Sequence, residues 1–122
     1  PRADLHDMGD DNLRETFGYI ARELGKRGVA FICTREKEGD DSLTPYLKEQ
    51  FGGLVIANER FTKEQANAWL AAGKADAVAF GVPYIANPDL VERLAQDAPL
   101  NEARPELFYA QGPVGYIDYP RL

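Results

Sequence analysis

The sequence predicts an α/β fold built on a parallel sheet. Three short apolar runs, at residues 28–34, 54–57 and 76–80, are typical of strands buried on both faces. Helical patterns alternate with them, so the predicted order is helix–strand–helix–strand–helix–strand–helix, which favours right-handed parallel crossovers. This order fits a small open three-layer sheet or a section of a (β/α)8 barrel. The 122 residues are too few for a whole barrel, which needs about 250.

The first predicted helix and strand occupy residues 11–34. Residues 11–27 repeat apolar side chains at three- and four-residue spacing, which makes one apolar stripe, and Gly28 can end this helix. Cys33 lies inside the apolar run of the strand, so we expect it to be a small buried core residue. The charged segment that follows, residues 35–41, is expected to be a solvated loop.

A second helix and strand and the start of a third helix follow. Residues 42–51 form the second predicted helix, and residues 54–57 form the strand after it. Thr62 and Gln65 fit a capping box, in which a hydroxyl and a residue three positions later satisfy each other's backbone N–H groups. The third helix is therefore predicted to begin at this box and to run to about Ala72.

The last part of the chain is predicted to hold one more helix and an irregular tail. Asn87 is expected to cap this helix with Pro88 in its first turn, and the helix runs through Leu94. Residues 98–122 are rich in proline, glycine and aromatic side chains, so we expect aromatic packing to order them. The chain as a whole is predicted to be one partial domain, residues 1–122, that ends in this tail.

The composition disfavours several classes of function. The formal net charge is −6 and the isoelectric point about 4.8, so the surface would repel nucleic acid. No apolar run approaches the roughly 20 residues of a membrane span, and no secretion signal is recognisable. One cysteine cannot form an internal disulfide, which fits a reducing compartment. We therefore expect a cytoplasmic protein that binds neither nucleic acid nor a membrane.

Ligands in parallel α/β folds gather at the carboxyl ends of the strands. Those ends are residues 34–36, 58–60 and 81–83, and the last two precede helices whose N–H groups can point toward an anion. Gly81 lets a ligand approach the backbone closely, so the pattern fits either a phosphate site or an ordinary strand-to-helix turn. The single histidine, His6, is expected to be solvated, and no spacing typical of metal ligands is present.

The second half of the chain carries four motifs in a fixed order. They are residues 76–90 (DAVAFGVPYIANPDL), 99–101 (PLN), 108–109 (FY) and 115–120 (GYIDYP). In order and spacing they resemble the end of the old yellow enzyme family, whose bacterial members include pentaerythritol tetranitrate, N-ethylmaleimide and morphinone reductases. The similarity extends more loosely upstream and covers essentially the whole chain, which matches about the last third of the family's domain.

The resemblance implies the C-terminal portion of a TIM (β/α)8 barrel, with the three strands as its sixth to eighth. The family holds FMN without a covalent bond, takes hydride from NAD(P)H and reduces activated alkenes such as enones, maleimides and nitro compounds. By this resemblance, the turns after the second and third strands and one aromatic residue of the tail would bind the cofactor. The neighbouring aromatic residue would bind the substrate. The cofactor-binding residues so implied are Asn58, Glu59, Arg60, Gly81, Val82 and Phe108, and the substrate-binding residue is Tyr109.

The chain departs from the family pattern at both turns. The turn at residues 58–60 is often glycine-rich in the family but is Asn-Glu-Arg here. Val82 stands where the family commonly has an arginine that binds the phosphate directly, and losing such a charge-assisted hydrogen bond costs roughly 1.5–3 kcal/mol. We expect Arg60 to bind the phosphate in its place.

The family's main catalytic groups come from earlier strands of the barrel. They are a His/Asn or His/His pair, a proton-donating Tyr and a flavin-tuning Thr, so no catalytic residue and no metal site is expected in this chain. The isolated chain is expected to be inactive, and activity is expected to need the remainder of the barrel. The alternative is a non-catalytic half-barrel that associates with itself, a partner or a phosphate ligand. The motif at 115–120 argues against another phosphate-binding barrel enzyme.

Overall fold

The computed structural model describes residues 10–122, so the prediction for His6 lies outside the described residues. The described residues group into two compact units that divide between Ala79 and Phe80. The first unit contains α1 (Leu13–Lys26), β1 (Phe31–Arg35), α2 (Thr44–Phe51), β2 (Leu54–Asn58), α3 (Lys63–Ala71) and β3 (Ala77–Ala79). The second unit contains α4 (Val82–Ala86), α5 (Leu90–Gln96) and a short 3-10 helix (Pro105–Leu107). Among these helices, none is both long enough and apolar enough to cross a membrane.

The three strands form one parallel sheet in the order β1–β2–β3. In this register Cys33 pairs with Ile56 of β2, and Ile56 pairs with Ala77 of β3. The alternation of helices and parallel strands confirms the predicted fold class. β1 begins later than expected because the amides of Gly28 and Val29 donate to carbonyls in the last turn of α1, at 3.0 and 3.3 Å. Those residues therefore finish the helix instead of starting the strand.

The core of the first unit lies between the sheet and the first two helices. Ala21 of α1 and Leu47 and Phe51 of α2 pack against Val55 of β2, and all four side chains are buried. The two helices approach closely at Gly25, where an added Cβ would lie 2.3 Å from the carbonyl oxygen of Phe51. A glycine at this point of α1 therefore permits the contact on which the core depends.

The opposite face of the same strands is open within the first unit. Phe31 and Leu54, which pair across β1 and β2, are both more than half exposed, and Cys33 is also exposed. The predictions that these strands are buried on both faces and that Cys33 is a core residue are therefore wrong for this chain. Successive side chains of a strand point to opposite faces, and helices of this unit cover only one of them.

The third helix begins as predicted. Thr62 accepts a hydrogen bond from the amide of Gln65 at 3.2 Å, and the Gln65 side chain accepts one from the amide of Thr62 at 2.9 Å, so the capping box is confirmed. Trp69 is buried on Phe61, with the two rings edge to face at 4.9 Å. The Nε1 group of Trp69 donates to the carboxylate of Glu38 at 3.4 Å, which docks part of the supposedly solvated loop on α3.

The second unit differs most from the prediction at Asn87. The fourth predicted helix begins at Leu90, and Asn87 instead ends an unpredicted short helix, α4. The Asn87 side chain is buried and donates to the carbonyl of Pro83 at 2.8 Å, while its oxygen accepts from the amide of Asn101 at 2.7 Å. Asn87 therefore links α4 to the tail instead of capping the next helix.

Of the aromatic side chains in the tail, one is buried and the others are half-buried or exposed. Tyr119 is buried, and its hydroxyl accepts a hydrogen bond from the amide of Arg104 at 2.9 Å. Tyr109 and Tyr116 are largely exposed, and Phe108 is half-buried. Aromatic packing of the expected kind is therefore found at Tyr119, whose ring also contacts the guanidinium of Arg104 at 4.4 Å, while Tyr109 and Tyr116 contribute little.

Candidate functional site

The turn after β2 has an unusual backbone. Asn58 ends the strand, and the next two residues, Glu59 and Arg60, have positive φ angles of 122° and 56°. Such angles cost roughly 1–3 kcal/mol for a residue with a side chain, and glycine adopts them most readily. The turn therefore keeps a backbone suited to the glycine-rich sequences expected from the resemblance, although its residues are Asn, Glu and Arg.

Two arginines share one carboxylate at this turn. The register that pairs Arg35 with Asn58 brings Arg35 beside the turn, and its Nε lies 2.6 Å from Oε2 of Glu59. The Nε of Arg60 lies 3.5 Å from Oε1 of the same carboxylate, and the Arg60 side chain is 69% exposed. Arg35 is therefore the closer partner of Glu59, and the exposed guanidinium of Arg60 is the more weakly paired of the two arginines.

The turn after β3 presents an open glycine. Gly81 precedes α4, and its carbonyl accepts hydrogen bonds from the amides of Tyr84 and Ile85 at 2.9 and 3.1 Å. Within residues 10–122, and apart from its two chain neighbours, a Cβ added at Gly81 would meet no atom within 4 Å, and the φ of Gly81 is −90°. Val82, the next residue, is half exposed. A helix was predicted after this strand end, but from Asn87, so α4 begins earlier than expected.

Glu36, at the end of β1, is a buried residue that the sequence did not reveal. Its carboxylate accepts hydrogen bonds from the hydroxyl of Ser42 and the amide of Leu43, at 2.7 and 2.8 Å, and from both the amide and the hydroxyl of Thr44, each at 2.8 Å. Burial raises the pKa of Glu36, but these hydrogen bonds outweigh it and hold the pKa below its usual value. Glu36 thereby ties the carboxyl end of β1 to the start of α2.

The aromatic pair of the tail follows the short 3-10 helix. The amide of Phe108 donates to the carbonyl of Pro105 at 3.2 Å, which ends that helix. Tyr109 is 98% exposed, so its ring contributes almost no burial to the unit that carries it. An exposed aromatic on a structured segment is the kind of side chain that contacts a ligand or another surface.

The structure brings some of the predicted site residues together within each unit. In the first unit, Asn58, Glu59 and Arg60 form one turn, which Arg35 joins. In the second unit, the remaining predicted residues lie in two segments. Gly81 and Val82 are at the start of α4, and Phe108 and Tyr109 follow the 3-10 helix. Residues 10–122 contain no group of three or more His, Cys, Asp or Glu side chains that could hold a metal ion.

Comparison with known proteins gives a consistent result. The chain is 34% identical to a probable flavin mononucleotide-dependent alkene reductase of Leishmania infantum, over 98% of this chain and 34% of that protein. Morphinone reductase in complex with tetrahydroNAD matches with a TM-score of 0.91 at 39% identity, over 100% of this chain and 34% of its own. The old yellow enzyme homologue from Zymomonas mobilis matches with a TM-score of 0.87 at 36% identity, over 93% and 34% of the two chains. No protein-family model matches the sequence.

These matches cover almost all of this chain but only part of each relative. The chain spans about a third of the length of the curated relatives it matches, while almost all of its own residues align. The two solved structures share the fold of this chain at sequence identities above 30%. They belong to the group of proteins that the motifs in the second half of the sequence indicated. The chain belongs to the old yellow enzyme family, in which it corresponds to a partial piece of a larger (β/α)8 barrel.

Proposed function

We propose that this chain is part of an FMN-dependent NAD(P)H oxidoreductase that reduces activated alkenes, and that it supplies contacts to the FMN phosphate. The name of the Leishmania relative specifies FMN and alkene reduction, and morphinone reductase was solved with tetrahydroNAD. Bound FMN would take hydride from NAD(P)H and pass it to an enone, a maleimide or a nitro compound. The observation that carries the proposal is the open backbone at Gly81.

Gly81 fits a phosphate contact because, among the described residues beyond its two chain neighbours, an added Cβ would meet no atom within 4 Å. Its backbone has φ −90° and ψ −86°, which is outside the left-handed region that favours glycine. A ligand that approaches the backbone closely would explain the absence of a side chain. We therefore assign the backbone amides of Gly81 and Val82 to the phosphate.

The turn at residues 58–60 is proposed as a second phosphate contact, with Arg60 as its charged partner. The Nε of Arg35 lies 2.6 Å from the Glu59 carboxylate, whereas the Nε of Arg60 lies 3.5 Å from it. Arg35 can therefore neutralise Glu59 while the exposed guanidinium of Arg60 turns to a phosphate. Arginine pairs with phosphate through two parallel hydrogen bonds, so it can replace the arginine that the family commonly has at the position of Val82.

The tail aromatics are proposed to border the flavin and the alkene. Phe108 would lie against the flavin, and Tyr109 would offer its ring and hydroxyl to the substrate. Aromatic side chains there would keep water away from the site of hydride transfer. The near-complete exposure of Tyr109 supports this role, because its ring is left for a partner outside its own unit.

Flavin content and alkene-dependent NAD(P)H oxidation test the proposal. The full-length protein that contains this chain would be incubated with FMN, desalted and scanned from 350 to 550 nm, then assayed without oxygen using 2-cyclohexenone. We expect a retained flavin band and oxidation of NAD(P)H that depends on the enone. A colourless protein that oxidises no NAD(P)H would contradict the proposal. The 122-residue chain alone is the matched control, and we expect it to be inactive.

A non-catalytic half-barrel is the second candidate, and the open sheet face favours it. Phe31 and Leu54 form an exposed apolar pair on that face, which a second copy or a partner could cover. This candidate predicts association that depends on these two residues. It also predicts that the full-length protein stays colourless and inert in the assay above, so the same experiment separates the two.

A further inference from the structure

One buried arginine holds both ends of the tail. Arg93 of α5 donates from Nη1 to the carbonyl of Pro99 at 2.6 Å and from Nη2 to the carbonyl of Pro120 at 2.9 Å. Its Nε donates to Oδ1 of Asp89 at 2.8 Å, and that carboxylate is also buried. The guanidinium therefore closes the segment between the two prolines into a loop.

Asn101 and Asp89 reinforce this closure. The side-chain amide of Asn101 donates to the carbonyls of Ala86 and Pro120, both at 2.8 Å. The second oxygen of Asp89 accepts from the amide of Leu122 at 2.7 Å. We call Asp89, Arg93 and Asn101 the tail clamp, and residues 102–118 the tail loop. Among the described residues every buried side-chain nitrogen or oxygen has a hydrogen-bond partner, and those of the tail clamp are included.

The base of the tail loop is braced, whereas its surface carries exposed apolar side chains. The guanidinium of Arg104 pairs with Oδ1 of Asp118 at 2.7 Å, and the same oxygen accepts from the amide of Gly115, also at 2.7 Å. Tyr109 and Ile117 are exposed. Contacts are therefore concentrated where the loop is anchored, and the side chains beyond are free to serve a ligand.

We propose that Arg93 is a positioning residue for alkene reduction, which it supports by fixing the tail loop that carries Tyr109. The inference rests on the proposed function, because Tyr109 is assigned there to the substrate. A buried ion pair is by itself weak evidence of stability. The planar fork of arginine, however, binds two carbonyls at a set spacing, which the single ammonium of lysine cannot do. The geometry thus explains why the position needs arginine and not merely a positive charge.

Arg93→Lys in the flavin-loaded full-length protein tests the inference. Lysine keeps a positive charge near Asp89, so the buried carboxylate stays paired while the fork is lost. We expect amide hydrogen exchange in the tail loop to be at least about tenfold faster, and KM for the alkene to rise roughly tenfold with the rate of flavin reduction by NAD(P)H unchanged. Glu92→Gln, an exposed change on the same helix, is the matched control and should change neither.

A double-mutant cycle with Tyr109→Ala shows whether Arg93 acts through this tyrosine. If it does, Arg93→Lys raises KM in the wild-type background but not in the Tyr109→Ala background. Equal effects in both backgrounds, or faster loop exchange with an unchanged KM, would overturn the inference. Asn101→Ala serves the same cycle if Arg93→Lys does not fold. A wild-type protein without flavin would instead refute the proposed function, while the exchange data would still report on the clamp.

Discussion

Replacing Gly25 with alanine should force α1 and α2 apart. The new Cβ would lie 2.3 Å from the carbonyl oxygen of Phe51 and 3.2 Å from its carbonyl carbon. Both are backbone atoms at the end of α2, so a change of rotamer cannot relieve the clash and the helix itself must move. Phe51 packs with Ala21, Leu47 and Val55, so that movement loosens the core of the first unit.

The expected loss is about 1–2 kcal/mol in the free energy of unfolding. Overpacking typically costs about 1–3 kcal/mol, and a backbone contact this short belongs in the upper part of that range. The higher helix propensity of alanine returns up to about 1 kcal/mol. Urea unfolding followed by circular dichroism measures the difference between the variant and the wild type.

Gly18→Ala, on the same helix, is the matched control. The three atoms nearest to its Cβ would all belong to the side chain of Tyr46, with the hydroxyl at 2.5 Å. That ring can swing away at the cost of its contact with Arg14 at 3.6 Å. We expect a smaller loss than for Gly25→Ala. A Gly25→Ala variant as stable as the wild type, or less affected than Gly18→Ala, would refute the reasoning.

Three further predictions concern the strand ends and acid stability. Gly81→Ala should leave the free energy of unfolding within about 0.5 kcal/mol of wild type but weaken FMN binding at least about tenfold; an unchanged flavin titration would contradict this. Glu36→Gln should cost about 1–3 kcal/mol in urea unfolding, because an amide cannot accept all of the carboxylate's hydrogen bonds; a neutral result would show that they contribute nothing net. The pKa of Glu23 is lowered to about 2 by hydrogen bonds from Lys26 and Arg27, and that of Glu36 is also lowered, so the unfolded chain binds more protons in acid. Stability should be full above the unfolded pKa of about 4.3 and fall toward pH 2, and a melting temperature constant from pH 6 to pH 3 would contradict this.

Local sequence signals predicted the regular part of the fold. The capping box of Thr62 and Gln65 and the alternation of strands with amphipathic helices need only neighbouring residues, so the sequence is enough to identify them. That alternation also predicted that the strands are parallel. The errors at strand ends, such as the late start of β1, come from residues that finish a helix by bonds to its last carbonyls.

Long-range contacts account for what the sequence did not predict. Glu36 lies in a charged run that is typical of a solvated loop, and only the fold brings Ser42 and Thr44 around its carboxylate. Asn87 has the usual pattern of a helix cap, but its side-chain oxygen accepts a hydrogen bond from the amide of Asn101 in the tail. The prediction that Cys33 is buried was wrong because an apolar run does not reveal how many faces of a strand are covered.

The candidate site was predicted from a resemblance and from the positions of the strand ends. The positive φ angles of Glu59 and Arg60 and the open space at Gly81 support the proposed phosphate contacts. Roles for Phe108 and Tyr109 stay predictions, as does the cytoplasmic location. The ligand that contacts these residues depends on their three-dimensional surroundings, so local sequence patterns cannot specify it.

Binding of FMN and of riboflavin by the full-length protein should be compared first, because the two flavins differ in the phosphate. If the turns at residues 58–60 and 81–82 hold that phosphate, FMN should bind roughly 100-fold more tightly than riboflavin. Arg60→Ala should reduce this ratio about tenfold and leave riboflavin binding unchanged. Equal affinities for the two flavins would contradict the assignment of these turns to the phosphate.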